Sequence, residues 1–538
     1  MARLQDSSNL WQAFASLVAS HPHATALSFD QSEVSFEALQ NLAERCSDYL
    51  VKHGATKGDV VVLQLPKRLE AYALFLGCLR VGCPYVFADV NNPAHRMERI
   101  LNRVRPKLLF TTGNYANHFG ETIVLADRNG GLEWLRSLDV SPGNSKASYL
   151  TGADPAYIMF TSGSTGEPKG AAIPHQGVLS LMQWGREELD ARPGSRFTNI
   201  NPLHFDNSVF DLYCGLLNGA AIIPIDTGEL PSPVAWVKNI RFGRADTMFA
   251  VPTLFLILEK LGLLTPVSLP SVKTFVFGGE GFPIVSLRRF YALFASTAKL
   301  INVYGPTETS CISTSLRIDE EVLAESGNSF VPLGRMHNNF DHVVVGENAR
   351  PVNRGEIGEL WISGPCVGLG YYRNPEQTKT RFLQDPRHDN FRAICYRTGD
   401  LVREDDKGRL WFQGRLDNQV KLRGHRIELE EIELAIESID GMRRAIAVTI
   451  VLEDEVEIWA AFVAERNVLQ RELDSIFREK LPNYMWPSRT VQLKELPLNA
   501  NGKIDRSATR RILETEYASA GYTSVQVDVP GNAGSQVS

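Results

Sequence analysis

The sequence predicts an α/β protein: a large N-terminal domain of mixed and parallel sheets covered by helices, then a small mobile α+β C-terminal domain. Three observations carry this. Short apolar, β-prone runs alternate with apolar helical stretches, the pattern of a sheet covered on both faces. Several of those runs empty into loops rich in Gly, Pro, Thr, Ser or Glu. The chain has 538 residues, more than one hydrophobic core usually serves.

Taken in order, residues 10–54 suggest helices around a short strand and turn. Residues 59–65 (DVVVLQL) read as a buried strand, 70–81 as an apolar helix and 106–112 as another strand. The pattern recurs at 247–251 before a Leu-rich helix, at 272–277 before GGEGFP, and at 299–304 before GPTETS. Ligands in open α/β sheets gather at such strand ends. After position 340 the chain turns to short strands and tight turns, then a helix from 428. Strand-like runs at 444–451 and 456–464 and a helix at 469–480 complete a compact α+β unit. The expected domains are 1–415 and 416–515. Residues 516–538, polar and without helical periodicity, are expected to be a disordered tail.

Composition excludes several classes. Hydrophobic residues make up 43% and charged residues 22%, as in ordinary globular proteins. A net charge of -6 argues against a nucleic-acid or anionic-membrane binder. The seven cysteines include no C-x-x-C pair and sit mostly in apolar runs. They read as reduced core or pocket residues of a cytoplasmic protein rather than as a zinc site. The N-terminus lacks a signal peptide's apolar centre, and the most apolar runs, 71–79 and 249–258, are broken well before about 20 residues. No membrane span is expected.

The most informative stretch is 157–170, YIMFTSGSTGEPKG. A β-prone run opens into Thr, Ser and Gly, whose backbone N–H groups and hydroxyls can form a phosphate-binding nest. It is not the common P-loop, since Gly166 is followed by Glu167 and Pro168 before Lys169. On these residues alone a flexible surface loop remains the alternative description.

Further motifs follow in order: HFDNSVFDLY (204–213), GGEGFP (278–283), NVYGPTETS (302–310), GEIGELWISG (355–364), YRTGD (396–400), GRLDNQVKLRGHRIELEEIE (414–433) and NANGKIDR (499–506). Together with TSGSTGEPKG (161–170) they resemble the adenylate-forming superfamily over residues 10–510. Within it, the chain is similar to the amino-acid adenylation domains of nonribosomal peptide synthesis and to ligases that charge a carrier protein. The resemblance implies ATP-dependent formation of an acyl-adenylate, release of pyrophosphate, and passage of the acyl group to a thiol.

It also implies roles. Thr161, Ser162, Gly163, Ser164, Thr165, Gly166 and Lys169 would grip the β- and γ-phosphates. Glu308 would hold Mg²⁺, which often takes one carboxylate plus substrate oxygens, and Thr307 would touch the α-phosphate. Asp400 would accept from the ribose hydroxyls with Arg415 beside it, Tyr304 would stack on adenine, and Gly278, Gly279 and Glu280 would pass along its edge. Lys503 would be the mobile catalytic lysine and Asp417 the hinge. Taken singly, Glu308 has the alternative of a helix cap and Asp400 that of a turn residue, while a lone Lys such as Lys503 is usually solvated surface; the motifs override these readings.

HFDNS decides the subclass. Asp206 could simply cap the following helix, but in amino-acid-activating members an Asp here pairs with the substrate ammonium. By the same resemblance Asn207, Phe210, Phe249, Val276, Val303, Cys311 and Ile312, with Gly278, line the pocket. This set favours a neutral, mainly apolar side chain, and Asn207 would suit a polar substituent or a β-amino or imino group. No carrier attachment motif follows residue 510. The expectation is therefore a stand-alone enzyme whose partner is the phosphopantetheine thiol of a separate carrier protein. The alternative is an acyl- or aryl-CoA ligase using free coenzyme A. A third description, a catalytically silent binding relative, is opposed by the intact Lys503, Glu308 and Asp400.

Overall fold

A computed structural model of the chain describes residues 7–30, 32–113, 123–125, 132, 135, 149–163, 166–226, 232–327, 330–452, 455–498 and 504–519. Its contacts divide the chain into two units. The first comprises Met1–Val90, Leu101–Thr161 and Lys169–Leu416. The second comprises Asn91–Ile100, Ser162–Pro168 and Asp417–Ser538.

Two large sheets dominate the first unit. The nine-stranded sheet runs, edge to edge, Arg335–Met336, Thr314–Arg317, Lys299–Tyr304, Thr274–Gly278, Thr247–Ala250, Arg196–Asn199, Ala221–Pro224, Thr25–Phe29 and Ser32–Ser35. Its six central strands pair in parallel and its edges antiparallel. The seven-stranded sheet runs Gly370–Tyr371, Lys169–Pro174, Pro155–Thr161, Tyr85–Phe87, Val61–Gln64, Leu108–Thr111 and Ile123–Leu125.

The alternation of side chains along a strand explains how the nine-stranded sheet is covered twice. In Thr274–Gly278, Val276 joins one hydrophobic cluster and Phe275 and Phe277 join another. The first cluster collects the helices Leu10–Ser20, Phe36–Lys52 and Leu69–Val81 together with strands of both large sheets. Leu69–Val81 is buried along nearly its whole length, which is why it is apolar all round. The second cluster is a set of phenylalanines, with Phe275 in edge contact with both Phe290 and Phe294. Helix starts follow local chemistry: Asn9 and Ser35 cap Leu10–Ser20 and Phe36–Lys52 by accepting from Gln12 and Ala38 N–H. An antiparallel sheet of Asp341–Val345, Ile357–Ser363, Ile394–Glu404, Phe382–Gln384 and Leu410–Arg415 completes this unit.

In the second unit, Gln419–Leu422 pairs with His425–Glu428 and leads into the helix Leu429–Glu437. The strands Met442–Leu452, Glu455–Ala464 and Arg489–Gln492 form a sheet, and the helix Gln470–Lys480 joins the same core through Leu473 and Phe477. The helix Arg506–Ser519 corrects the expected onset of a tail at 516. Arg506 anchors its first turn to Glu433 at 2.5 Å. Residues 520–538 lie outside the described residues. Among the described residues no helix is long and apolar enough to cross a membrane.

Candidate active site

The strands Pro155–Thr161 and Lys169–Pro174 are antiparallel, and their last register pair is Thr161 with Lys169. These two expected phosphate ligands therefore flank the base of the 162–168 loop. The Thr161 hydroxyl is buried with no hydrogen-bond partner among the described residues. Such an atom is costly to leave unpaired and suits a ligand oxygen. Gly166 N–H donates to Gly163 O at 2.8 Å. Within the second unit, Ser162 Oγ donates to Arg426 O at 2.6 Å and Arg99 donates to Gly166 O at 2.6 Å. Ser164, Thr165 and Lys503 lie outside the described residues.

The C-terminal ends of the parallel strands deliver the next group. After Lys299–Tyr304 the chain makes one 3-10 turn, Thr307–Thr309. Ser310 and Cys311 then take φ of 63° and 77°, two successive non-glycine residues in the left-handed region. Each such residue costs on the order of 1–3 kcal/mol and persists only where its surroundings over-determine it. Here Ser310 Oγ donates to Cys366 O at 2.9 Å, Thr309 and Ser313 hydroxyls meet at 2.8 Å, and Gly368 N–H donates to Glu308 O at 2.8 Å. Close backbone approach also explains two glycines. A Cβ on Gly305 would lie 2.3 Å from Cys311 O, and one on Gly278 2.3 Å from Val303 O.

Glu308 is fully buried and its Oε1 accepts from Tyr371 Oη at 2.7 Å. It is no helix cap. Among the described residues no cluster of three His, Cys, Asp or Glu side chains could hold a metal. A Mg²⁺ bound by one carboxylate and by substrate oxygens needs none, so Glu308 fits that ion.

Asp206 has helical backbone angles and no side-chain capping bond, so the capping reading fails. Its Oδ2 instead accepts from Thr307 Oγ1 at 2.5 Å. The helix Asn207–Val209 continues directly into a π-helical turn, Phe210–Gly215. Wide turns of this kind recur at functional sites.

The expected pocket residues come together. Strand register places Phe249 beside Val276, and Gly278 beside Val303. Phe210 packs on Phe249 with ring centroids 4.7 Å apart. Phe210, Phe249, Val276, Val303, Cys311 and Ile312 all belong to one buried cluster. Burial first, then the Asp206 carboxylate, pushes the Cys311 thiol well up. Asn207 Nδ2 lies against Gly279. Glu280 Oε1 accepts from Thr253 N–H at 2.7 Å, at the start of the helix Pro252–Lys260.

Asp400 is 3% exposed. Its Oδ2 accepts from Tyr304 Oη and its Oδ1 from Arg415, both at 2.5 Å. Asp400 and Arg415 are directly opposed across two antiparallel strands. Burial first, then the Asp400 charge, drives the Tyr304 phenol far up. Asp417 Oδ1 accepts from Gln419 N–H at 3.4 Å in the second unit.

Several site neighbours carried no signal of their own. Tyr371 supports Glu308, and Asn201 holds Phe249 O at 3.0 Å while donating to the buried Asp211. The Tyr157 phenol is buried and lacks a hydrogen-bond partner among the described residues. Burial leads its upward shift, and Cys311 and Asp206 contribute. Tyr157 stands in the 157–170 stretch; the use of Tyr371 is shown only by its pairing with Glu308.

A family model described as AMP-binding enzyme matches residues 14–372. The L-proline--[L-prolyl-carrier protein] ligase of Pseudomonas fluorescens is 31% identical over 510 residues, covering 92% of this chain and 98% of that protein. The D-alanine--D-alanyl carrier protein ligase of Bacillus licheniformis is 29% identical, covering 90% of this chain and 95% of that protein. The chain spans only 39% of surfactin synthase subunit 3 of Bacillus subtilis, at 31% identity over 94% of this chain. Among solved structures, PA1221, an NRPS protein containing adenylation and PCP domains, superposes with a TM-score of 0.81 at 27% identity, covering 95% of this chain and 98% of that one. With motifs, fold and near full-length relatives in agreement, the chain belongs to the AMP-binding enzyme family.

Proposed function

We propose that this protein activates an amino acid with ATP as an aminoacyl-adenylate, releasing pyrophosphate, and transfers it to the phosphopantetheine thiol of a carrier protein. The observation that carries the amino-acid reading is Asp206. Its carboxylate is held by Thr307 and, after burial, helps to raise the thiol of Cys311, which shares one apolar cluster with Phe210, Phe249, Val276, Val303 and Ile312. A substrate ammonium is a charge that such a carboxylate can receive through charge-assisted hydrogen bonds. The apolar walls suit a neutral, mainly apolar side chain.

The chain's own residues divide the work. Thr161, whose hydroxyl has no partner among the described residues, and Lys169 anchor the loop that holds the phosphates, together with Ser162, Gly163 and Gly166 and with Ser164 and Thr165. Asp400, fixed by Tyr304 and Arg415, accepts from the ribose hydroxyls. Gly278, Gly279 and Glu280 flank the adenine. Glu308 holds Mg²⁺, which when bound neutralises phosphate charge. Thr307 donates to the α-phosphate. Lys503 supplies the cation at the developing negative charge, which preorganised donors stabilise strongly. Residues 1–415 form the adenylation core and 416–515 a mobile domain that turns at Asp417 between half-reactions.

Two near full-length relatives are named as carrier-protein ligases, which supports a carrier protein as acceptor. All seven cysteines are free and buried, which supports a reducing, cytoplasmic setting. The test is pyrophosphate exchange across amino, fatty and aryl acids, followed by transfer to a holo-carrier protein or to free coenzyme A. Exchange with one amino acid and transfer to the carrier are expected. Exchange confined to fatty or aryl acids, with transfer to coenzyme A, would overturn the reading.

A further inference from the structure

We propose, resting on the amino-acid-activating function above, that Thr307 couples the two substrate sites by sharing its single hydroxyl proton between them. Thr307 Oγ1 donates to Asp206 Oδ2 at 2.5 Å across 101 positions of sequence. It thereby links the residue assigned to the α-phosphate with the residue assigned to the substrate ammonium. A threonine hydroxyl has one proton to give. While Asp206 holds it, a phosphate oxygen cannot have it.

The surroundings leave the hydroxyl as the part that moves. Thr307 is 5% exposed, and the turn that carries it is pinned on several sides. Thr309 bonds Ser313, Ser310 bonds Cys366 O, and Glu308 is held through both its carbonyl and its carboxylate. The strained φ values at Ser310 and Cys311 show how fully that backbone is determined. Rotation about the Thr307 C–O bond is cheap by comparison.

A substrate ammonium brings three donors and a positive charge to Asp206. It satisfies the carboxylate more strongly than a neutral hydroxyl does. Thr307 can then turn its proton to the nucleotide. Without the ammonium, a nucleotide must either break the Thr307–Asp206 bond or do without this donor. Each substrate therefore tightens the other, and by linkage the factor is the same in both directions. Thr307 is on this account a positioning residue for substrate order as well as a phosphate donor.

The experiment is calorimetric binding of α,β-methylene-ATP with Mg²⁺. It is run without and with a saturating amount of the amino acid that gives the highest pyrophosphate exchange. We expect the amino acid to tighten nucleotide binding by about tenfold, within the usual span of roughly 5- to 150-fold for coupled sites. Thr307→Val should abolish the coupling and Thr307→Ser should keep it. The des-amino analogue of the same acid, tested on the unaltered protein, should produce no coupling. Equal affinities with and without the amino acid, coupling that survives in Thr307→Val, or equal coupling by the des-amino analogue would each overturn the inference. The last comparison needs no variant, so it decides even if Thr307→Val fails to fold. If no amino acid supports exchange, the proposed function falls and takes this inference with it. If exchange is robust and coupling is absent, only the inference falls.

Discussion

The phenol of Tyr304 donates a 2.5 Å hydrogen bond to Oδ2 of Asp400, a residue 96 positions further along the chain. Tyr304 ends the strand Lys299–Tyr304 of the nine-stranded sheet, and Asp400 lies in Ile394–Glu404 of a separate antiparallel sheet. The bond therefore ties two sheets of the first unit at the proposed ribose site. Arg415 takes the other carboxylate oxygen, so Asp400 is held from both sides before any ligand arrives.

Tyr304→Phe removes one donor from this buried carboxylate while leaving the ring. A hydrogen bond to a charged group is worth about 1.5–3 kcal/mol. We expect a lower melting temperature and a weaker Kd for ATP, with the amino-acid KM little changed. An ATP Kd equal to that of the unaltered protein would show that the Tyr304 hydroxyl does not prepare Asp400 for nucleotide.

Lys503→Ala should lose adenylate formation and keep ATP binding, since Asp400, Thr161 and Lys169 remain. Removing one preorganised donor typically costs about 100- to 1000-fold in rate. The check is pyrophosphate exchange beside nucleotide binding on one preparation. Near-normal exchange would remove Lys503 from the chemistry.

Asp417 stands where the contact pattern breaks, between Leu416 and Asp417. A hinge must absorb a large change in φ and ψ, and proline fixes φ near -65°. Asp417→Pro should largely keep exchange and lose transfer to the carrier thiol. Equal loss of both half-reactions would indicate damage to folding, and unimpaired transfer would place the hinge elsewhere.

His337 should make stability depend on pH. It stacks on Trp184 with centroids 4.7 Å apart, and neither ring nitrogen has a hydrogen-bond partner among the described residues. Burial pushes its pKa down to about 3. The folded protein thus keeps this imidazole neutral where the unfolded chain would protonate it near pH 6.5. Its contribution is complete above that pH and is lost as pH falls toward 3; at pH 5 the loss is about 2 kcal/mol. His175, pushed down to about 4 mainly by burial, acts in the same direction. Urea unfolding at pH 7.5 and 5.0 should show a smaller drop for His337→Phe than for the unaltered protein. Equal drops would assign the acid sensitivity to other groups.

What was legible in the sequence was local. Strands such as Lys299–Tyr304 and helices such as Leu69–Val81 follow from apolar runs and the turn residues after them, and their ends came within one or two positions. The candidate residues were legible because each sits in a compact motif. Their pairings were not. Thr307 with Asp206, Tyr371 with Glu308 and Asn201 with Phe249 join distant segments, and only the sheet register and the strained 310–311 turn bring them together. Helix Arg506–Ser519 runs past position 516, with Arg506 on Glu433 at its start and Leu513 in a core cluster, contacts that join segments distant in sequence.

The central claim is that Asp206 receives a substrate ammonium. The measurement is pyrophosphate exchange by the unaltered protein and by Asp206→Ala, each with the preferred amino acid and with its des-amino analogue. Truncating one partner of a desolvated charge pair costs on the order of 2–5 kcal/mol. The amino-acid KM should therefore rise by tens- to thousands-fold in the variant, with the KM for ATP nearly unchanged, and the des-amino analogue should be a poor substrate for the unaltered protein. A des-amino analogue that serves as well as the amino acid, or an Asp206→Ala variant with an unaltered amino-acid KM, would contradict the account.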